Sequence, residues 1–255
     1  MKKEILIEEP DKNIRIVKIN RISKRNALNN ELIVEIANNL SSFQNDKNIK
    51  CVIITGSEGF FSAGSDISEM SKDGYKAINN ELRNKSWQTI ENFEKPLICC
   101  VDGFCIGAGL ELMLLCDIII SSEKSKFGSP EINIGIMPGD GASQRLTKIA
   151  GKYISMKMFL TGEPVSSDIL YNCGVISEIS KIPLDRSIEI AKTICQKSPI
   201  STKMIKKTVN FSYNSFLLDG LKFERKKIGE TFNTYDQKEG MKAFLEKRKP
   251  NYKGE

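Results

Sequence analysis

Residues 103–120, GFCIGAGLELMLLCDIII, form an almost unbroken apolar run, which restricts the fold more than any other segment of the chain. Such a run must be buried, yet Glu111 lies in its middle, and burying a carboxylate without partners costs several kcal/mol. Its helical neighbours at three and four positions are all apolar: Gly107, Ala108, Leu114 and Leu115. A surface helix would carry a polar stripe here. Glu111 is therefore either an ordinary residue of a partly exposed helix or a buried carboxylate kept for function, with its pKa raised by desolvation.

A second carboxylate follows at Glu131, in the segment FGSPEINIGIMPGDG, directly after Pro130 and before another apolar run. A glutamate beside proline is by itself typical of an ordinary loop. Two carboxylates that meet at one site could instead hold a water molecule between them, one acting as base and the other as acid.

Two loops that contain glycine, FFSAGSD and CIGAGLE, each lead from a predicted strand into a predicted helix. The first amides of a helix have no intrahelical partner and lie at its positive end. Two such amides aimed at one carbonyl oxygen would form an oxyanion hole. The alternative is that Gly64, Gly107 and Gly109 only make tight turns. Neither loop fits GxGxxG or GxxxxGK[ST], which argues against a nucleotide-phosphate site.

Composition excludes several classes of function. The chain has no histidine, which excludes Ser-His-Asp and Cys-His catalysis and any His-ligated metal. Its seven cysteines are odd in number and form no CxxC, as expected for reduced core thiols of a cytosolic protein. The net charge of +6 is scattered, so we expect no nucleic-acid partner.

We expect a cytoplasmic protein without a membrane partner. The N-terminal MKKEILIEEPDKNIRIVKIN lacks the apolar core of a signal peptide. The apolar pieces around Asp102, Glu111 and Asp117 are shorter than the about 20 residues that span a bilayer.

The periodicity predicts an α/β protein. Alternating patterns predict strands in EILIEE and NIRIVKIN, and short apolar runs predict buried strands in KCVIITG, KPLICCVDG and DIIIS. Helical spacing is found between these strands and almost throughout from Leu184 onward. We therefore predict a core over residues 1–195, containing the active site, and a C-terminal helical region over residues 196–255.

Taken together, these segments resemble the crotonase, or enoyl-CoA hydratase/isomerase, superfamily over essentially the whole chain. The matching motifs, in order, are RISKRNALNN, ITGSEGFFSAGSDISEM, KPLICCVDGFCIGAGLELMLLCD, KFGSPEINIGIMPGDGASQRLTKIAGKYISMKMFLTGEPVSS and DQKEGMKAFLEKRKPNYKG. Within the superfamily the chain looks most like the hydratases of β-oxidation and of phenylacetate degradation. The resemblance implies the ClpP/crotonase spiral fold of ββα units with a C-terminal helical subdomain that takes part in trimerisation.

The resemblance also implies roles for individual residues. In hydratases of this family both acidic positions are glutamate, and Glu111 and Glu131 match them at the family spacing. By analogy, Glu131 delivers a proton to the α-carbon, while Glu111 orients and activates the water. The backbone amides of Ser65 and Ala108 would form the oxyanion hole for the thioester oxygen. No metal and no redox cofactor is implied, because coenzyme A is part of the substrate.

Further positions of this chain match substrate-binding positions of relatives: Lys24, Ala63, Gly64, Asp66, Ile67, Gly139, Phe244 and Lys247. The two lysines match positions near the CoA phosphates, and Phe244 matches an aromatic residue that lines the site. Relatives form homotrimers, often paired into hexamers, and their C-terminal helices help to complete a neighbour's site. We expect the same assembly here.

Three positions depart from the family pattern. Ser65 and Ala108 stand where alanine and often glycine are usual, but both would act through the backbone. Asp140 stands in PGDGAS where PGAGGT is common. It could touch a polar group of the acyl chain, or it could cap the helix that follows, and we expect the cap.

The leading hypothesis is an enoyl-CoA hydratase that adds water reversibly across the 2,3 double bond of a trans-2-enoyl-CoA to give a 3-hydroxyacyl-CoA. The alternatives are dehydration of a 3-hydroxyacyl-CoA as the physiological direction, isomerisation of the double bond, and a non-catalytic member that binds RNA. The presence of both glutamates favours hydration.

Overall fold

The computed structural model describes residues 3–255, and its centre is a six-stranded sheet. The strands of the described chain are β1 (Ile5–Asp11), β2 (Ile14–Ile19), β3 (Cys51–Thr55), β4 (Phe60–Ser62), β5 (Leu97–Val101), β6 (Phe104–Ile106), β7 (Ile118–Ser121), β8 (Lys126–Gly128), β9 (Val165–Ser166) and β10 (Glu178–Ile179). The helices are α1 (Asn30–Asn45), α2 (Ile67–Asp73), α3 (Tyr75–Ile78), α4 (Glu81–Glu91), α5 (Ala108–Met113), α6 (Ala142–Ala150), α7 (Lys152–Thr161), α8 (Ser167–Asn172), α9 (Pro183–Cys195), α10 (Pro199–Ser212), α11 (Leu217–Phe232) and α12 (Tyr235–Leu245).

The large sheet has the strand order β1-β2-β3-β5-β7-β10. Its first two strands pair antiparallel, and every later neighbour pair is parallel. All residues of β3 and β5 are buried, which explains why both read as continuous apolar runs, as strands covered on both faces do. The strands predicted in these segments are confirmed.

A second, smaller sheet lies beside the first, with the strand order β4-β6-β8-β9. Three times in succession, a long strand of the large sheet is followed by a three-residue strand of the small sheet: β3 by β4, β5 by β6 and β7 by β8. After β4 and β6 the chain then enters a helix, α2 or α5. This repetition confirms the expected spiral of ββα units, although the short strands themselves were not predicted. Three residues are too few to show an alternating pattern.

The bend between β5 and β6 requires glycine at residue 103. Gly103 has φ of +107°, and a Cβ atom there would lie 1.8 Å from the carbonyl oxygen of Gly59. Any side chain would push the β3–β4 and β5–β6 units apart. Their close approach places the starts of α2 and α5, which follow β4 and β6, beside each other.

The C-terminal helices leave large apolar side chains exposed. Phe216, Leu217, Leu218 and Phe244 are all more than 70% exposed in the single chain. Helix α10 is attached to the sheet by the ammonium group of Lys206, which lies 2.8 Å from the carboxylate of Asp117 at the start of β7. The division at residue 195 stays a prediction.

All seven cysteines are free thiols, four of them buried. Within residues 3–255, no helix combines the length and the apolar character needed to cross a bilayer.

Candidate active site

Glu111 is buried in helix α5, with 3% of its surface exposed. Its Oε1 atom accepts two backbone hydrogen bonds, from the amide of Asp140 at 2.7 Å and from the amide of Ala142 at 3.1 Å. Its Oε2 atom accepts no hydrogen bond from any group in residues 3–255. Of the two alternatives for Glu111, burial is therefore confirmed, and one oxygen of its carboxylate has no partner within residues 3–255.

The pKa of Glu111 is raised to about 7, chiefly because burial penalises the charged form. The negative charges of Asp140 and Glu131 raise it further, while the two backbone amides that donate to Oε1 lower it. A carboxyl group with a pKa near neutrality can both take and give a proton at physiological pH.

Glu131 begins a short 3-10 helix, Glu131–Ile134, that follows β8. Its Oε2 atom accepts a 2.6 Å hydrogen bond from the hydroxyl group of Ser129, which is 1% exposed. Its Oε1 atom lies 3.0 Å from the position that a Cβ atom on Gly107 would take. Gly107 immediately precedes the helix that carries Glu111, so both carboxylates lie at the N-terminal end of α5.

The two glycine loops are in contact at the same place. A Cβ atom on Gly64 would lie 3.7 Å from the Cα atom of Gly107 and 3.8 Å from the amide nitrogen of Ala108. Gly64 and Gly107 both have positive φ, +103° and +54°, which favours glycine at these positions.

The amide groups of Ser65 and Ala108 donate no backbone hydrogen bond in the described chain. For Ala108 this follows from its place as the first residue of α5, where an amide has no intrahelical partner. Ser65 lies in a bridge with Leu28, but the bonds of that bridge use the oxygen of Gly64 and the amide of Asp66. Two adjacent loops thus each present an unused amide, as an oxyanion hole requires.

Asp140 does not cap helix α6, so the expectation of a cap was wrong. The N-cap position is Gly141, which has no capping side-chain hydrogen bond. The carboxylate of Asp140 instead accepts two hydrogen bonds from the guanidinium group of Arg83, at 2.6 and 2.5 Å. Arg83 is only 6% exposed, and a buried guanidinium without a counter-charge would be costly.

Neither Arg83 nor Ser129 was predicted from the sequence as a residue of the site. A signal for Arg83 was present, because in the helical pattern it falls on the same face as Trp87 and Ile90, where a charge is out of place. No local pattern distinguished Ser129 from an ordinary loop serine.

Of the other predicted substrate-binding positions in the 63–67 loop, Ala63 and Ile67 are compatible with that role, whereas the side chain of Asp66 is engaged within the protein. Ala63 lies in the loop, and its amide donates to the oxygen of Arg25 at 3.1 Å, next to the exposed Lys24. Ile67 is 49% exposed at the start of α2. The carboxylate of Asp66, by contrast, is already occupied, because it binds the guanidinium of Arg21 at 2.7 Å and caps α2.

Three further positions are exposed in the single chain. Gly139 precedes the segment that holds Glu111, and a Cβ atom there would meet nothing within 4 Å. Phe244 is 82% exposed near the end of α12, and Lys247 follows that helix. Within the single chain neither residue lines the site, because both side chains are exposed to solvent.

Comparison with known proteins gives consistent similarities over nearly the whole chain. A family model described as enoyl-CoA hydratase/isomerase matches residues 9–255. The chain is 37% identical to the 2,3-dehydroadipyl-CoA hydratase of Escherichia coli K12, with 98% of each protein covered. It is 41% identical to a probable mitochondrial enoyl-CoA hydratase of Dictyostelium discoideum, over 94% of this chain and 87% of that protein. A crystal structure of an enoyl-CoA hydratase from Bacillus anthracis superposes with a TM-score of 0.94 at 28% identity, covering 99% of this chain and 100% of that one.

Proposed function

The chain belongs to the enoyl-CoA hydratase/isomerase family, and from that premise we propose how its own residues carry out the reaction. It is an enoyl-CoA hydratase, a hydro-lyase that adds water across the 2,3 double bond of a trans-2-enoyl-CoA to give a 3-hydroxyacyl-CoA. The reaction is reversible, and the roles given below apply to both directions.

The substrate's thioester oxygen binds between the amides of Ser65 and Ala108. As the oxygen of water bonds to the β-carbon, the electrons of the double bond move toward the carbonyl and an enolate forms. The two amides stabilise the negative charge on its oxygen. Removing one donor of this kind typically costs about 10² to 10³ in rate.

The two glutamates move the protons. Ionised Glu111 accepts a proton from the water at Oε2, which has no protein partner, while Oε1 is held by two amides. Glu131 gives a proton to the α-carbon. The sum is one hydroxyl group added at the β-carbon and one hydrogen at the α-carbon. Before the next turnover, the proton that Glu111 took from water moves to Glu131.

The observation that carries this mechanism is the placement of two carboxylates and two unused amides around Gly107, the residue that ends one glycine loop and precedes α5. The mechanism uses no metal and no redox cofactor, because the polarised thioester and two carboxyl groups supply every proton and electron pair. We place the enzyme in the cytoplasm.

The test is hydration of crotonyl-CoA, followed by loss of the absorbance of the conjugated thioester. Glu111→Gln and Glu131→Gln should each abolish almost all activity. Glu123→Gln, an exposed glutamate outside the site, is the matched control and should behave like the wild type. Near-normal hydration by either active-site variant would refute the assigned roles. If only one of the two variants keeps its activity, the result would point to an isomerase.

The protein assembles as a homotrimer or as a hexamer made of two trimers. Support comes from the exposed apolar side chains of the C-terminal helices, among them Phe216 and Phe244, because a stable monomer rarely exposes so many. In the assembly Phe244 and Lys247 would complete a neighbour's site, and Lys24 and Lys247 would face the phosphates of CoA. Light scattering on the purified protein measures the assembly directly, and a monomeric mass would contradict it.

A further inference from the structure

Arg83 and Asp140 form a buried ion pair directly beside the site. The guanidinium group of Arg83 donates to both carboxylate oxygens, at 2.6 and 2.5 Å, although the residues are 57 positions apart. Only 7% of the Arg83 side chain and 16% of the Asp140 side chain are exposed. A bidentate ion pair of this kind fixes the orientation of the two side chains as well as their distance.

Every polar group of Asp140 is engaged. Its amide donates to Oε1 of Glu111 at 2.7 Å, and its carbonyl oxygen accepts from Nη1 of Arg145 at 3.0 Å. Arg145 in turn binds the carboxylate of Glu91 at 2.5 Å. Because Arg83 and Glu91 lie near opposite ends of α4, this helix supports the segment 140–142 at two points.

The segment 140–142 is in turn the only group of the described chain that holds Glu111 through hydrogen bonds to its carboxylate. The amides of Asp140 and Ala142 both bind Oε1, which leaves Oε2 free. A shift of this segment would rotate the carboxylate and move Oε2 away from the water position.

We propose that Arg83 is a positioning residue for Glu111, acting through its ion pair with Asp140, which fixes the segment 140–142 and thereby the carboxylate. This inference rests on the proposed role of Glu111 as the group that activates water. Arg83 touches neither substrate nor water in this scheme.

The pair also sets the charge around Glu111. The acidic groups that face it are Asp140, before α6, and Glu131, after β8, and both raise its pKa. The cations behind Asp140 are Arg83 of α4 and Arg145 of α6. Removing Arg83 leaves the charge of Asp140 uncompensated, whereas removing the charge of Asp140 relieves the repulsion. The two changes should therefore shift the ionisation of Glu111 in opposite directions.

The experiment measures kcat, KM and the pH dependence of kcat/KM for crotonyl-CoA hydration in Arg83→Met, Asp140→Asn and the double variant. Misplacing a reacting group by about 1 Å can cost about 100-fold in rate. We expect kcat to fall about 10- to 100-fold in each variant with KM little changed. The acidic limb of the profile should move to higher pH in Arg83→Met and to lower pH in Asp140→Asn. The double variant should lose no more than the worse single variant, because the two residues act as one unit.

Lys206→Met is the matched control. Lys206→Met breaks a comparably buried ion pair, the one between Lys206 and Asp117. The lysine side chain is 8% exposed, and the pair lies at the start of β7, outside the site. We expect this variant to lose stability and to keep the kcat and pH profile of the wild type.

Folded Arg83→Met and Asp140→Asn variants with wild-type kcat and an unshifted acidic limb would overturn the proposal. So would the same loss of kcat in Lys206→Met, which would indicate a general effect of instability. If Arg83→Met does not fold, Arg83→Lys provides the test, because lysine keeps the positive charge but cannot form the bidentate contact with Asp140. A lower kcat in Arg83→Lys supports the proposal, and wild-type kcat overturns it. Wild-type protein that fails to hydrate crotonyl-CoA would instead refute the proposed function itself.

Discussion

Replacing Glu111 by glutamine should remove hydration activity and at the same time make the protein more stable at high pH. The carboxylate is 3% exposed, and its pKa is raised from the ordinary value of 4.5 to about 7, mainly by burial. The folded protein therefore favours the neutral form of Glu111. Glutamine is nearly isosteric with that neutral form and keeps an oxygen that can accept from the amides of Asp140 and Ala142.

The size of the effect follows from the pKa difference. Each tenfold change in proton affinity is about 1.4 kcal/mol, so the rise from 4.5 to about 7 corresponds to about 3 kcal/mol. Because the folded-state pKa is the higher one, this stability is fully present below pH 4.5 and is lost as the pH rises through 7. The glutamine variant has no such group to ionise and escapes the loss. For a chain of this size, about 3 kcal/mol corresponds to about 6 to 12 °C in Tm.

The assay is thermal unfolding of wild type and Glu111→Gln at equal protein concentration, at intervals from pH 4.5 to 8.5. We expect similar Tm values at the acidic end and a difference that grows to several degrees at the alkaline end. Glu123→Gln, with an exposed carboxylate, should follow the wild type throughout. A Tm difference that does not change with pH, or a glutamine variant that is less stable at pH 8 than the wild type, would show that Glu111 does not carry this ionisation cost.

Three further predictions concern the same site. The kcat/KM of the wild type for hydration should rise with pH with a midpoint of about 7, because Glu111 must be ionised to accept a proton, and a profile that stays flat below that midpoint would contradict this. Gly107→Ala should lower the free energy of unfolding by at least about 1 to 2 kcal/mol, because residue 107 has a left-handed φ. It should also reduce kcat, because the new methyl group would lie 3.0 Å from Oε1 of Glu131. Denaturant unfolding and steady-state kinetics measure the two effects, and an unchanged kcat would argue against the placement of Glu131. Ser129→Ala removes the 2.6 Å hydrogen bond to Oε2 of Glu131, so kcat should fall while stability changes by only about 1 kcal/mol; a Ser129→Thr variant, which keeps the hydroxyl, should recover part of the rate.

Much of the fold could be predicted from local patterns. The buried strands β3, β5 and β7 follow from short apolar runs, and the helices from residue 184 onward follow from their spacing, because both patterns lie within a few consecutive residues. The short strands β4, β6 and β8 could not be predicted in the same way. Each has three residues, and each exists because its neighbours in the small sheet supply hydrogen bonds from distant parts of the chain.

In the candidate site, too, the features that depend on local sequence were predicted, whereas those that depend on distant segments were not. The apolar helical neighbours of Glu111 made its burial one of two alternatives, and the two glycine loops were recognised as strand-to-helix turns that could present free amides. The partner of Asp140 was not predicted, since the sequence favoured a helix cap and the structure shows an ion pair with Arg83 instead. A charged side chain takes whichever counter-charge the fold brings close, and a local pattern contains no information about a residue 57 positions away.

Local patterns of polarity in the sequence were thus enough to predict the long buried strands and the C-terminal helices, and to raise the burial of Glu111 as one of two alternatives. Which groups lie around that carboxylate depends instead on contacts between distant segments. The amides of residues 140 and 142 bind it from one separate segment, and Glu131 lies beside Gly107 on another, so their approach depends on how the ββα units stack. Distances between segments far apart in the chain are set by packing, which no single stretch of sequence specifies.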